Sequence, residues 1–209
     1  LRTGPGRCEM TFVREEVGDW FSEENLDERI WINAEMQERW IDMWRETAER
    51  YKDNPIVVGY NLMVEPNANE IFGHGLNDPF DPDEYHKAFA GTLQDWNQLH
   101  PRISKAIREQ DSNTPLLIAS ASYAYVDWLP FLAPGQEQYV VYDVHPYIPW
   151  QYVFQYPETP VPFPGQMDLD YDGEPDSLDM EWLAHSLSPV PEYARRYGPV
   201  AAMEYGAVR

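Results

Sequence analysis

The sequence predicts an α/β fold with a parallel sheet, and it favours a (β/α)8 barrel (TIM barrel) that is incomplete in this chain. Apolar segments alternate with amphipathic ones along the 209 residues, as expected of parallel strands joined by helices. The strands contain continuous apolar runs such as Ile56-Val57-Val58 and Val140-Val141, which are typical of a sheet covered on both faces. Two strands end in a glutamate, and functional groups of (β/α)8 barrels lie at that rim. Such barrels usually need about 250 residues, so only part of one is expected here.

The elements follow one another in a regular order. Asn33 is predicted to cap an amphipathic helix that ends near Tyr51. The segment Asp81-Pro82-Asp83-Glu84 predicts the start of a second helix, which we expect Pro101 to interrupt. The predicted strands are residues 56–63, 115–120, 139–145 and 199–203, with an acidic loop at 148–175 and a last helix at about 177–197. Four tryptophans in apolar or helical settings are predicted to lie in the core: Trp40, Trp44, Trp96 and Trp128.

Composition excludes several classes of function. The 36 acidic and 15 basic residues give a net charge of -21, which would repel nucleic acid and anionic lipid. No apolar run is long enough to insert into a membrane. The single cysteine, Cys8, allows no disulfide within the chain and no multi-cysteine metal site. The chain begins at Leu1 without a signal peptide, so we expect the true N-terminus to be missing.

Two apolar segments, residues 59–66 and 199–206, each end with a glutamate, Glu65 and Glu204. A carboxylate at the end of a buried strand is costly unless it has water or a partner. Two such groups at strand ends therefore suggest one shared site. Paired carboxylates at this position are the machinery of glycoside hydrolysis.

Five segments together resemble glycoside hydrolase family 5, the cellulase and mannanase family of (β/α)8 barrels. In chain order, they resemble the loop after barrel strand three, the helix before strand four, strand four itself, strand six and strand seven. These segments are residues 2–7, 40–51, 59–66, 142–147 and 197–206. The resemblance implies a retaining glycosidase in which Glu65 is the general acid/base and Glu204 the nucleophile, with carboxyls about 5–5.5 Å apart. The chemistry requires Glu204 to be ionised and Glu65 to be protonated before cleavage.

The resemblance also implies residues that bind the sugar. Tyr147 matches the family's tyrosine that bonds the nucleophile, and His145 matches a histidine that lines the site. Trp150 and Tyr123 follow barrel strands six and five, on the rim where a glucan would lie. The alternative for His145 and Tyr147 is an ordinary core or rim role.

One position departs from the family's pattern. Val64 stands where the family has an asparagine that donates a hydrogen bond to the sugar 2-hydroxyl. Asn67 or Asn69 could compensate, although ordinary turn chemistry is the favoured role for both. Val64 leaves open a second hypothesis, a non-catalytic or weakly active carbohydrate-binding barrel. A third, another α/β hydrolase or a metal-assisted enzyme, lacks a Gly-x-Ser-x-Gly elbow and close histidine spacing.

The acidic loop has the spacing of a calcium-binding loop. Acids occupy its first, third, fifth, ninth and twelfth positions, with Gly173 at the sixth. These acids are Asp168, Asp170, Asp172, Asp176 and Asp179. The alternative is a solvated acidic loop.

The sequence therefore predicts that residues 1–209 belong to one partial catalytic domain acting on a polysaccharide or oligosaccharide. We expect hydrolysis of a β-1,4-linked glucan or mannan, with the choice between them left open. No cofactor is expected for catalysis, and calcium would be structural. Neither nucleic acid nor membrane insertion is expected, and the compartment is left open, with secretion compatible with the resemblance.

Overall fold

Four parallel strands form the main sheet of the structure, a computed structural model that describes residues 27–72, 81–154 and 160–206. They lie side by side in chain order, each hydrogen-bonded to the next. Their bounds are β1 Tyr60–Asn61, β2 Leu116–Ala119, β3 Val140–Val144 and β6 Val200–Ala202. Parallel strands in sequential order with helices between them form an incomplete (β/α)8 barrel, as predicted. The predicted barrel loop at residues 2–7 and Cys8 lie outside the described residues.

The helices that connect and flank the strands are α1 Arg29–Ile32, α2 Ala34–Tyr51, α3 Pro82–Phe89, α4 Trp96–Arg108, α5 Trp150–Val153, α6 Met180–Ser186 and α7 Pro189–Tyr197. Two 3-10 helices span Ala68–Phe72 and Val126–Phe131, and a left-handed turn occupies Ala121–Ala124. Between α5 and α6, β4 Gly165–Met167 and β5 Asp176–Leu178 form a separate antiparallel hairpin. None of the helices in the described ranges has both the length and the apolar character needed to cross a bilayer.

Helix α2 begins where the sequence predicts. The Asn33 side chain accepts hydrogen bonds from the backbone N–H groups of Glu35 and Met36, which would otherwise lack partners at a helix start. Its apolar stripe packs on α4 and the sheet, and the Trp44 indole N–H donates to the Leu62 carbonyl at 3.2 Å. The four tryptophans predicted to be core residues are all buried.

The first predicted strand is much shorter than residues 56–63. Only Tyr60 and Asn61 pair with β2, while Ile56 and Val58 are 85% and 83% exposed. In the register that pairs Tyr60 with Leu116, Thr114 would face Val58. The Thr114 N–H instead bonds to the Asp111 carboxylate, which turns that segment away from the sheet. The expectation of a long strand was therefore wrong, because its partner ends early.

The second predicted helix breaks at a different place. The chain stops being helical after Phe89 and resumes at Trp96, while Pro101 lies inside α4. The Asp95 carboxylate explains the break, because it accepts from the N–H groups of Gly91, at 2.8 Å, and Asn97, at 2.9 Å. Gly91 has a φ of +80°, a conformation that favours glycine. Pro101, the sixth residue of α4, lacks the N–H that would bond the Asn97 carbonyl, yet the helix continues to Arg108.

The predicted acidic loop at 148–175 contains regular structure. It includes α5 and the first strand of the hairpin, and the last helix begins at Met180 rather than near residue 177. The hairpin pairing of β4 with β5 uses residues that show no clear apolar alternation, so the sequence pattern did not reveal it.

Candidate active site

Glu65 lies just beyond the C-terminal end of β1, and its side chain is 19% exposed. Its backbone has a φ of +58°, which is strained for a residue with a Cβ atom. The next residue, Pro66, accepts a hydrogen bond from the Tyr123 N–H at 3.3 Å. This bond ties the turn after β1 to the turn after β2, so the position of Glu65 depends on both.

His145 follows β3 directly and faces Glu65. Its Nδ1 lies 2.7 Å from Oε1 of Glu65 and 3.8 Å from Oε2 of Glu204. The His145 backbone N–H donates to the Ala124 carbonyl at 2.8 Å, which links the turns after β2 and β3. The ring is almost fully buried, at 1% exposure. The structure thus places His145 between the two predicted catalytic acids.

Glu204 follows β6 and is 32% exposed. The Tyr147 hydroxyl donates to its Oε2 at 3.5 Å, the pairing that the resemblance implies. One carboxylate oxygen of Glu65, one of Glu204 and a nitrogen of His145 all lie within 4.8 Å of one another. Two acids on strands that are three positions apart in the sheet therefore meet above its C-terminal edge.

Asp143 is a member of this cluster that sequence reasoning missed. It lies within β3 and is fully buried, with one oxygen accepting from the Met203 N–H at 3.1 Å. Its Oδ2 is 3.4 Å from Nε2 of His145, an ion-pair distance. The sequence did contain a signal. Asp143 is an acid inside the apolar run 140–144, and it lies two residues before His145, so both side chains are expected on the same face of the strand.

The electrostatics of the cluster centre on His145. Burial alone would lower the pKa of His145, but the carboxylates of Asp143 and Glu65 outweigh it and raise this pKa to about 9. At neutral pH this pKa favours the imidazolium, which donates from Nδ1 to Glu65, keeps Nε2 at 3.4 Å from Asp143 and offers no lone pair to a metal ion. Burial, together with Glu204 and Glu65, raises the pKa of Tyr147, so its hydroxyl keeps the proton that it donates.

The other predicted sugar contacts lie around this cluster. Tyr123 and Asn67 are both buried, so neither ring face nor amide is broadly open to a ligand. Trp150 is partly exposed, stacks on Phe154 at a centroid distance of 3.8 Å, and lines a cavity of about 470 Å³. Aromatic side chains make up much of the wall of that cavity: Tyr125, Trp150, Tyr171 and Trp182. Contact with sugar stays a prediction for all three residues.

The five acids of the predicted calcium loop divide into two groups. Oxygens of Asp168, Asp170 and Asp176 lie within 4.8 Å of one another. Asp179 instead caps α6 by accepting from the N–H groups of Glu181 and Trp182, and Asp172 accepts from the Glu174 N–H. Only the first three are arranged as a set that could hold a cation.

A half-barrel of parallel strands with two carboxylates meeting at its C-terminal rim defines the class of the barrel glycosidases. Comparison with known families then identifies the family within this class. The profile described as Cellulase (glycosyl hydrolase family 5) matches residues 18–209. The chain belongs to glycoside hydrolase family 5.

Individual relatives agree with this assignment. Endoglucanase C of Acetivibrio thermocellus is 30% identical over 126 residues, which are 60% of this chain and 30% of that protein. A beta-xylosidase of Phanerodontia chrysosporium is 28% identical over 147 residues, 69% of this chain and 25% of that protein. The crystal structure of Thermotoga maritima Cel5A with cellobiose matches with a TM-score of 0.62 at 21% identity, over 88% of this chain and 52% of that one. The chain thus spans about a third of that endoglucanase and half of that structure.

Proposed function

We propose that this chain forms part of the catalytic domain of a retaining glycosidase that cleaves a β-1,4-linked glucan or mannan. Glu204 is the nucleophile and Glu65 the general acid/base. The observation that carries the proposal is the approach of the two carboxylates, whose nearest oxygens lie within 4.8 Å of each other. This approach favours the retaining geometry, in which the carboxyl groups are about 5–5.5 Å apart, over the about 6.5–9.5 Å of inverting enzymes.

The reaction proceeds in two displacements. Glu204 attacks the anomeric carbon while Glu65 gives its proton to the departing glycosidic oxygen, which leaves a sugar ester on Glu204. Glu65, now a carboxylate, takes a proton from a water molecule that attacks the same carbon and releases Glu204. The Tyr147 hydroxyl orients Glu204 for the attack by donating to its Oε2. His145 donates from Nδ1 to Oε1 of Glu65, at 2.7 Å, so the proton that Glu65 gives to the leaving oxygen is carried on its Oε2.

Substrate class is supported by the family and by the names of its members. Relatives are named as endoglucanases, and Thermotoga maritima Cel5A was crystallised with cellobiose and with mannotriose. A strongly acidic surface suits a neutral glycan and disfavours nucleic acid. We therefore propose a neutral β-1,4-glycan as the substrate, with glucan and mannan compared directly in the assay.

The test replaces each acid in the full-length protein. Glu204→Gln should abolish hydrolysis of soluble β-1,4-glucan and mannan. Glu65→Ala should lower it by about 10²–10⁴-fold but retain activity on aryl glycosides, because a good leaving group needs no proton. A 2-deoxy-2-fluoro glycoside with a dinitrophenyl leaving group should form an ester on Glu204, detected by mass spectrometry of the peptide.

The matched control is Glu49→Gln, because Glu49 is exposed in the last turn of α2, the end of the helix that leads into β1. It should hydrolyse both glycans at the unaltered rate. Undiminished hydrolysis by Glu204→Gln would refute the assigned role. The product anomer, read by NMR before mutarotation, gives an independent check, because inversion would contradict double displacement.

The binding-only alternative rests on Val64, which cannot donate a hydrogen bond to the sugar. A protein of that kind would bind oligosaccharide in a titration calorimeter but would show no turnover, whichever glutamate is replaced. The close approach of Glu65 and Glu204 gives no reason to prefer it, since a binding barrel needs no such pair.

For the acidic loop we propose a narrower calcium site than the sequence suggests, formed by Asp168, Asp170 and Asp176. Carboxylate oxygens are the ligands that Ca²⁺ prefers. Adding Ca²⁺ should then raise the melting temperature of the protein, and EDTA should reverse the rise. Replacing Asp170 by Asn should reduce the effect, whereas the same change at Asp172 should leave it intact.

A further inference from the structure

Asp143 is a buried carboxylate that the proposed mechanism does not use directly. It is fully buried in the third strand of the four-stranded sheet, between Ala119 of β2 and Ala201 of β6. A carboxylate in such a place is strongly destabilising unless both oxygens have partners. The partners of Asp143 therefore indicate why an acid stands where an apolar residue would cost less.

The two oxygens of Asp143 reach towards the two halves of the site. Oδ1 accepts from the Met203 N–H at 3.1 Å, one residue before Glu204 and beyond the last paired residue of β6. Oδ2 lies 3.4 Å from Nε2 of His145, whose other nitrogen contacts Glu65 at 2.7 Å. One carboxylate thus supports the backbone next to the nucleophile and the ring next to the acid/base.

We propose that Asp143 is a positioning residue, which holds His145 as a charged donor against Glu65 and fixes the chain that carries Glu204. The inference rests on the proposed function for its catalytic meaning. Whether Asp143 controls the charge and orientation of the His145 ring can be measured without any turnover.

The charged and titratable groups around His145 come from three strands. Glu65 follows β1, Asp143 lies in β3, and Glu204 follows β6, while Tyr147 packs edge-on at a centroid distance of 6.5 Å. Of these, only Asp143 faces Nε2. Its replacement by asparagine removes one negative charge and turns an acceptor into a group that can donate. The neutral ring, which can accept at Nε2, is then stabilised relative to the imidazolium.

The experiment uses Asp143→Asn in the full-length protein and follows the titration of His145 by NMR of labelled histidine, assigned with His145→Gln. In the unaltered protein both ring nitrogens should stay protonated up to about pH 9. In Asp143→Asn the pKa of His145 should fall by about 1–3 units, the effect of an adjacent opposite charge. We expect kcat to fall by about 10²-fold from misplacement of the acids, with KM changed by less than threefold and a new step in the kcat–pH profile at the lowered pKa.

The matched control is Asp111→Asn. Asp111 is also buried and accepts from the Tyr60 hydroxyl and from two backbone N–H groups, but it precedes β2 at the opposite edge of the sheet. It should lower the melting temperature while leaving the pKa of His145 and the kcat–pH profile unchanged. If Asp143→Asn behaves as this control does, Asp143 is only structural and the inference fails.

The readouts separate this inference from the proposed function. A protein without any glycosidase activity would overturn the proposed function. The titration of His145 would still show whether Asp143 controls the charge of the His145 ring. Should Asp143→Asn not fold, the unaltered protein decides the question. A His145 ring that carries a single proton at pH 7.5 would overturn the inference without any substitution.

Discussion

Replacing His145 by glutamine should remove a pH-dependent part of the protein's stability. The pKa of His145 is raised in the folded state from an ordinary 6.5 to about 9. A raised pKa means that the folded state holds a proton that the unfolded chain releases between these two values. The resulting stabilisation is fully present below pH 6.5 and is lost as the pH rises to about 9.

The size of this effect follows from the same two values. The rise from 6.5 to about 9 corresponds to about 3–4 kcal/mol, at about 1.4 kcal/mol per pKa unit. The His145 side chain is 1% exposed, so solvent screens the effect little. This is a large share of the about 5–15 kcal/mol that holds a typical protein folded.

The assay is chemical unfolding at several pH values between 6.5 and 9. Among the described residues, burial lowers the pKa of His86 and of His100 and raises that of Tyr60 to about 12, which moves these groups away from this window. The diagnostic is the slope of unfolding free energy against pH, because glutamine also changes packing. The control His185→Gln, at an exposed site, should keep the slope. An equal slope in His145→Gln and the unaltered protein would refute the reasoning.

Three further outcomes are expected. Tyr147→Phe should lower kcat by a few-fold, since it removes the donor 3.5 Å from Glu204, and unchanged kcat would show that this contact is not used. Val64→Asn should raise kcat on β-1,4-glucan by about 10²-fold by restoring a donor to the 2-hydroxyl, and equal rates would show that the site does not need it. Asn33→Ala should cost about 1 kcal/mol of stability in urea unfolding, because α2 loses its cap.

The glutamates show how local signals can point to a site. Each follows a short apolar run, and this pattern alone predicted that Glu65 and Glu204 would meet at the C-terminal edge of a parallel sheet. Their sequence neighbours carried the family resemblance, which the family comparison confirms. Asp143 also lies in an apolar run, but sequence reasoning missed it. Its position in the middle of a strand does not by itself point to the rim of the sheet, as a position at a strand end does.

The element boundaries show where local signals fail. The cap at Asn33 was predicted correctly because its partners lie within three residues. The length of β1 was predicted wrongly, because it depends on how far β2 extends beside it. Asp111 turns the segment before β2 away from the sheet. The break near Asp95 was likewise set by a side chain that bonds Gly91 and Asn97 at once.

The sequence by itself determined the parallel α/β class, the main helix with its cap, the family and the two acids, because capping and burial patterns act over a few neighbouring residues. Tertiary structure alone decided that His145 stands between those acids with a raised pKa and that Asp143 lies behind it. Charge and distance at such a site depend on strand register and burial, which bring groups from distant parts of the chain into a place without water.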